Sequence, residues 1–212
     1  MIKTIIFDYD GVIVDSFPSV HKTYLIICKQ LGKKCPTDFE KFKEIYGYGS
    51  KELMNNLSIY GEEVDKANYI YRQEIIKTNS PIFEGIKEVI VKLSESYNLV
   101  LISSSPREEV MHKLEKYGLS KKFNLIFASD SGGAMRKVEA IQEAIKRLGA
   151  DPKEVIMIGD RVVDFNEGVE AGLSENNIMI VDYGWGYDKD KVPKQKTLIK
   201  KPADIFKAIE KI

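Results

Sequence analysis

Two pairs of aspartates in this chain directly follow apolar segments, at spacings that suit acid–base and metal chemistry. Asp8 and Asp10 follow the first segment, and Asp160 and Asp164 follow a later one. Carboxylates are the ligands that Mg²⁺ prefers, and they also act as nucleophiles and as general acids or bases. Placed opposite one another, the two pairs would form an oxygen-rich cation site. Taken singly, the first pair also fits a turn or a calcium-type loop, and the second also fits two helix caps.

Hydroxyl and basic side chains follow further apolar segments. Ser103 and Ser104 precede a predicted helix, where hydroxyls and free backbone N–H groups bind anions, although an ordinary helix cap explains the same segment. Carboxylates brought to one place raise each other's pKa, and a divalent cation with a nearby lysine relieves that repulsion. Lys137 is the candidate for this lysine, and Arg136 beside it is the competitor.

The elements that must position these residues are short apolar strands alternating with helical patterns. Strands are predicted at Ile2–Phe7, Leu99–Ile102, Leu125–Phe127, Val155–Ile158 and Ile178–Val181. Helices are predicted at Ile86–Ser96, Arg107–Tyr117, Val138–Leu148, Asn166–Ala171 and Ala203–Ile212. This alternation predicts an α/β fold with a Rossmann-like parallel sheet, in which ligands bind beyond the carboxyl ends of the strands.

One region breaks the alternation. Residues 16–81 contain helical patterns and no clear strand segment. We therefore predict a core domain of residues 1–15 and 82–212, with a small α-helical cap domain of residues 16–81 inserted into it.

Composition excludes several classes of protein. The 212 residues carry 32 basic and 32 acidic side chains, so the net charge is zero and neither a nucleic acid nor a membrane is an expected partner. The apolar start of the chain is too short for a signal peptide, and no apolar run reaches the roughly 18 residues of a membrane span. Two cysteines are too few for a disulfide framework. We expect a cytoplasmic protein, as a monomer or a homodimer.

The motifs together resemble those of a known superfamily. Residues 8–16, DYDGVIVDS, resemble the first motif of the haloacid dehalogenase superfamily. Ser103, Lys137 and the pair Asp160 and Asp164 match its second, third and fourth motifs in the same order, and the match covers almost the whole chain. The inserted region resembles the helical cap of the phosphoglycolate phosphatase and β-phosphoglucomutase subgroup.

This resemblance implies a reaction mechanism. Asp8 would be the nucleophile that forms an aspartyl-phosphate, and Asp10 would be the general acid and base. Ser103, Ser104 and Lys137 would bind the phosphoryl oxygens.

The resemblance also implies a cofactor, Mg²⁺. Its ligands would be Asp8, the backbone carbonyl of Asp10, and Asp160. Gly11 and Asp164 would support them.

The cap is expected to act as a lid that excludes water and contacts the substrate. One segment resembles the cap's substrate-specificity loop, although its glycines also fit a simple turn between helices; it consists of Gly47, Tyr48, Gly49, Ser50 and Lys51.

The function that follows is a Mg²⁺-dependent phosphatase acting on a small phosphorylated metabolite, with phosphoglycolate as the leading candidate. The alternatives are a β-phosphoglucomutase-like sugar phosphomutase and a non-catalytic metabolite-binding protein on the same fold. The sequence leaves open the exact substrate and whether Arg107 or Arg161 contacts it.

Overall fold

The computed structural model describes residues 1–46, 49–130, 136–186 and 199–212. By its internal contacts the chain divides into two units. One consists of Met1–Asp15 and Pro81–Ile212, and the other of Ser16–Ser80. The first contains a parallel sheet with helices on both faces, so the predicted α/β class is confirmed.

The sheet has five parallel strands in the order β3-β2-β1-β4-β5. Their bounds are β1 Thr4–Asp8, β2 Asn98–Pro106, β3 Leu125–Ser129, β4 Val155–Gly159 and β5 Ile178–Ile180. Every residue of β1 and β4 is buried, as expected for central strands covered on both faces.

The strand order places a topological switch point between β1 and β4. From β1 the chain proceeds to β2 and β3 on one side, and it then returns to build β4 and β5 on the other. Phe7 pairs with Ile158 in the parallel register, so the residues that follow β1 and β4 leave the sheet at the same edge. Open α/β sheets bind ligands in the crevice that such a reversal creates.

Helices of the described residues cover the sheet and form the second unit. Their bounds are α1 Phe17–Leu31, α2 Phe39–Tyr46, α3 Ser50–Asn56, α4 Glu62–Ile75, α5 Ile86–Leu93, α6 Arg107–Lys116, α7 Lys137–Leu148, α8 Val162–Glu170 and α9 Asp204–Ile209. Short 3₁₀ turns lie at Ser120–Lys122, Pro152–Glu154 and Glu175–Asn177. Across these ranges, no helix has both the length and the apolar character that a membrane crossing requires.

Two apolar layers sandwich the sheet, because successive side chains of a strand point to opposite faces. On β1, Ile5 and Phe7 pack in the layer that contains α5, α6 and α9. Ile6, between them, packs in the layer that contains α7 and α8.

The Ser16–Ser80 unit has a small core of its own. Phe17, Tyr24 and Ile27 are buried on one face of α1 at helical spacing. Phe42 of α2 packs against Phe17 with ring centroids 5.6 Å apart, so α1 and α2 share an aromatic contact.

Helix α8 begins earlier than the sequence predicts. The expected range was Asn166–Ala171, and the observed helix is Val162–Glu170. The Asp164 carboxylate accepts the backbone N–H groups of Asp160 and Arg161, which satisfies donors at the helix start and begins the helix directly after the strand.

Strand β2 is longer than predicted. It was expected to end at Ile102, but it continues to Pro106, which pairs with Ser129 of β3 after an irregularity in the register. The polar residues 103–105 therefore belong to the strand end and not to a free loop.

Candidate active site

Three buried carboxylates meet at the switch point. Asp8 ends β1, Asp160 follows β4, and Asp164 lies in the first turn of α8. One oxygen from each lies within 4.8 Å of the others, and all three side chains are buried. The fold thus brings Asp8 together with the second pair of aspartates, which stands about 150 residues further along the sequence.

Lys137 supplies positive charge to this cluster. Its Nζ atom lies 2.9 Å from Oδ1 of Asp8 and also contacts Oδ1 of Asp164. Burial by itself would lower the pKa of Lys137, but the charges of Asp164 and Asp8 outweigh it and raise the pKa above its ordinary value. Arg136 is exposed and pairs instead with Glu170 at 2.9 Å, so of the two candidates Lys137 is the one among the carboxylates.

Asp164 connects the lysine to the loop after β4. One of its oxygens contacts Lys137, and the other accepts the N–H groups of Asp160 at 3.1 Å and Arg161 at 3.0 Å. Burial would raise the pKa of Asp164, but the charges of Lys137 and Arg161 and these hydrogen bonds hold it below its ordinary value. Asp164 therefore stays ionised and orients the loop.

Main chain encloses the carboxylate of Asp160. A Cβ atom added at Gly11, Gly184 or Gly186 would overlap this side chain, and Gly11 also has a left-handed φ of +81°. The N–H of Gly186 donates to Oδ2 of Asp160 at 2.8 Å. Two loops, one after β1 and one after β5, thereby hold Asp160 in place.

The cluster fits a small divalent cation. Burial raises the pKa of Asp8 to about 7 even though Lys137 opposes it, and burial raises that of Asp160 well above its ordinary value. Oδ1 of Asp160 is buried and accepts no hydrogen bond within the described ranges; the nearby Nε of Arg161 is 3.9 Å away. An all-oxygen set with excess negative charge and an unsatisfied carboxylate oxygen is the environment that Mg²⁺ binds.

A second cluster joins the loop after β1 to the end of β2. Ser105 donates from Oγ to Oδ2 of Asp10 at 2.7 Å, and Ser103 donates to the same oxygen at 3.5 Å. The N–H of Ser105 donates to Oγ of Ser103 at 3.0 Å. Ser104 is exposed. Sequence reasoning missed Ser105; the signal was the two-residue period of a strand, which puts residues 103 and 105 on one side.

Glu109 is a further buried carboxyl that sequence reasoning missed. It lies on α6, it is 3% exposed, and its Oε1 accepts the hydroxyl hydrogen of Tyr9 at 3.1 Å. Burial raises the pKa of Glu109 to about 8, the charge of Asp10 adds to this effect, and Lys113 opposes it. Glu109 is therefore largely protonated in the folded protein at neutral pH.

Protonated Glu109 predicts a pH dependence of stability. The pKa of Glu109 is about 8 in the folded protein, against an ordinary value of 4.5. At a pH between these two values, the unfolded chain has released a proton that the folded protein keeps. Stability should therefore fall as pH rises through this window, with a Glu109 contribution of roughly 3 kcal/mol between pH 5.5 and 8. Urea unfolding at both pH values measures the free energy of unfolding. Between the two pH values, this free energy should fall less in Glu109→Gln than in the wild type.

The exposed neighbour Glu108 provides the matched control. Glu108→Gln should keep the pH dependence of the wild type. An unchanged dependence in Glu109→Gln would contradict the assignment of a raised pKa to this residue.

The predicted substrate loop is only partly described. Gly47 and Tyr48 lie outside the described residues. Gly49 precedes α3, and Ser50 and Lys51 form its exposed first turn. A role in substrate selection stays a prediction.

The sequence leaves open whether Arg107 or Arg161 contacts the substrate, and in the structure each arginine has a partner within the protein. Arg107 donates to the carbonyl oxygen of Ile126 at 3.2 Å. The guanidinium of Arg161 lies over the ring of Trp185, 5.5 Å from its centroid.

Comparison with known proteins agrees with the motifs. Residues 5–176 match the sequence profile of the family described as haloacid dehalogenase-like hydrolase, which confirms the resemblance inferred above. Pyrophosphatase PpaX of Listeria monocytogenes is 27% identical over 176 residues, 80% of each chain. Tyrosine-protein kinase PtkA of Mycobacterium tuberculosis is 25% identical over 203 residues, which are 93% of this chain and 67% of that protein.

Solved structures share the fold. A predicted phosphatase from Clostridium acetobutylicum superposes with a TM-score of 0.85 over 100% of both chains, at 22% identity.

Proposed function

The chain belongs to the haloacid dehalogenase-like hydrolases, and we propose that it is a Mg²⁺-dependent phosphatase that hydrolyses a small phosphomonoester through an aspartyl-phosphate. Membership of this hydrolase family and the similarity to pyrophosphatase PpaX support a phosphoric monoester hydrolase. The observation that carries the proposal is the position of Asp8, at the end of the central strand, beside Lys137 and two further buried carboxylates.

In the first step, a carboxylate oxygen of Asp8 attacks phosphorus, and the bond from phosphorus to the ester oxygen breaks. Asp10 gives its proton to the departing oxygen. The ammonium group of Lys137, 2.9 Å from Asp8, offsets the repulsion between an anionic nucleophile and an anionic phosphoryl group. Ser103 and the exposed Ser104 donate to the phosphoryl oxygens.

In the second step, water attacks the phosphorus of the aspartyl-phosphate. Asp10, now a carboxylate, takes a proton from this water, and the bond between phosphorus and the Asp8 oxygen breaks. Inorganic phosphate leaves and Asp8 is regenerated. One residue thus serves as acid and then as base.

Asp8, Asp160 and the backbone carbonyl of Asp10 would hold Mg²⁺, and Asp164 would support them. When bound, the ion supplies positive charge that neutralises the phosphoryl oxygens. The buried, unsatisfied Oδ1 of Asp160 and the raised pKa of Asp8 support this assignment.

The proposed setting is the cytoplasm, with a small phosphorylated metabolite as the partner. The thiols of Cys28 and Cys35 are free, which suits a reducing compartment. Phosphoglycolate is the first substrate to test, and pyrophosphate belongs beside it because of the PpaX similarity.

Phosphate release from a panel of phosphorylated metabolites tests the proposal. The panel should contain phosphoglycolate, pyrophosphate, glycerol 3-phosphate and β-glucose 1-phosphate, each with Mg²⁺ and with EDTA. We expect metal-dependent release from one or a few of them. Conversion of glucose 1-phosphate to glucose 6-phosphate without phosphate release would establish the mutase instead. A folded protein that turns over none of them would contradict the proposal and favour a binding protein.

A further inference from the structure

Ser105 has a role that the motifs do not assign. Building on the proposed function, we propose that Ser105 is the positioning residue for Asp10: its hydroxyl holds the Asp10 carboxyl where the proton reaches the leaving group.

The hydrogen bonds distinguish the two serines. Ser105 Oγ is 2.7 Å from Oδ2 of Asp10, whereas Ser103 Oγ is 3.5 Å from it, at the outer limit of such a contact. Ser103 Oγ in turn accepts the N–H of Ser105, and because its own contact with Asp10 is long, its hydroxyl hydrogen can turn from Asp10 to a phosphoryl oxygen when substrate binds. The side chain of Ser105 therefore orients Asp10, and the main-chain N–H of Ser105 orients the hydroxyl group of Ser103.

Both ends of the Ser105–Asp10 contact have a fixed backbone. Ser105 is 8% exposed, and it lies where the β2–β3 register shifts, just before the strand resumes pairing at Pro106. Register irregularities of this kind re-aim side chains at the edge of an active site. On the other side, the N–H of Gly11 donates to the carbonyl of Val14 at 2.9 Å, so the turn containing Asp10 is closed.

With both backbones fixed, the remaining freedom is the rotation of the Asp10 side chain. Asp10 is only half-buried, so packing alone does not hold its carboxyl in one orientation. A short hydrogen bond from a buried hydroxyl supplies that restraint. A general acid must lie within hydrogen-bond reach of the atom it protonates, so loss of the restraint should weaken proton delivery.

Proton delivery matters most when the leaving group is basic. An alkoxide leaving from an alkyl phosphate needs a proton, whereas p-nitrophenolate leaves readily without one. Loss of Ser105 should therefore slow the two substrate types unequally. A residue that only stabilises the fold would slow both alike.

The experiment compares kcat/KM for p-nitrophenyl phosphate and for the alkyl phosphate that the panel identifies as fastest. This ratio reports the first step, in which the leaving group departs, and not the later attack of water, which Asp10 assists for every substrate. For Ser105→Ala we expect kcat/KM on the alkyl phosphate to fall on the order of 10- to 100-fold, a fraction of the full effect of a general acid. On p-nitrophenyl phosphate kcat/KM should fall less than about threefold. Ser105→Thr keeps the hydroxyl and should restore most of the lost rate.

Ser104 provides the matched control, because it has the same side chain one residue away and is exposed. If Ser104→Ala acts through phosphate binding, it should affect both substrates equally. Three results would overturn the inference: an equal loss of kcat/KM on both substrates for Ser105→Ala, an increase in kcat/KM, or a Ser105→Thr protein with the selectivity of the alanine variant.

Asp10→Ala separates this inference from the proposed function. It should show the same preference for the aryl substrate in stronger form. If Asp10→Ala lowers kcat/KM equally for both substrates, the acid role of Asp10 itself is wrong. If Asp10→Ala is selective and Ser105→Ala is not, only the role of Ser105 fails.

Discussion

Asp8→Asn should lower kcat on the order of 10⁴-fold or more, because an amide nitrogen or oxygen cannot replace the attacking carboxylate. The effect should be this large because every turnover requires the aspartyl-phosphate. A second measurement reports the intermediate directly. Wild-type protein quenched in acid during turnover of ³²P-labelled substrate should retain label, and Asp8→Asn should retain none.

The control for Asp8→Asn is Asp182→Asn, which makes the same chemical change after strand β5 of the same sheet. Asp182 lies outside the carboxylate cluster, so this variant should keep its activity. Circular dichroism and thermal unfolding should show that both variants are folded. Turnover by Asp8→Asn within tenfold of the wild type would remove Asp8 from the role of nucleophile.

Removal of divalent cations should abolish activity, and added Mg²⁺ should restore it. The reason lies in the charge of the site: the pKa of Asp8 is raised to about 7, so this nucleophile is only partly ionised at neutral pH without further positive charge. A bound cation lowers that pKa and offsets the repulsion within the cluster. Phosphate release after EDTA treatment and after Mg²⁺ addition measures the effect.

Thermal unfolding tests the metal site independently of activity. A ligand that binds only the folded state stabilises it, so Mg²⁺ should raise the Tm of the wild type. Asp160→Asn should lose this increase. Without Mg²⁺, however, it should unfold at a higher temperature than the wild type at pH 8, because burial raises the pKa of Asp160 and its ionisation destabilises the fold. An equal Mg²⁺-induced rise in both proteins would contradict the role of Asp160 as a ligand.

Adjacent residues can have opposite environments, and sequence patterns do not separate them. Arg136 and Lys137 are both basic and both stand at the start of α7. The former makes an exposed ion pair with Glu170, and the latter reaches Asp8. Neighbours on a helix point about 100° apart, so the choice depends on how the face of α7 is turned toward the sheet.

Buried partners distant in sequence were also beyond prediction. Ser105 meets Asp10 across 95 positions, and Glu109 meets Tyr9 across 100. Each contact depends on the parallel register between β1 and β2 and on the angle of α6 after β2. A serine next to other serines, or a glutamate on a polar helix, carries no local sign of such a partner.

The sequence alone predicts the alternation of strands and helices and the placement of Asp8 and Asp160 at strand ends. It could do so because buried parallel strands require continuous apolar segments, and the residues that end them share one edge of the sheet. The three-dimensional fold was needed to identify the loops that surround Asp160, the choice of Lys137 and the contacts of Ser105 and Glu109. These depend on register, helix rotation and the space that glycines leave open, and none of these quantities is a property of a local segment.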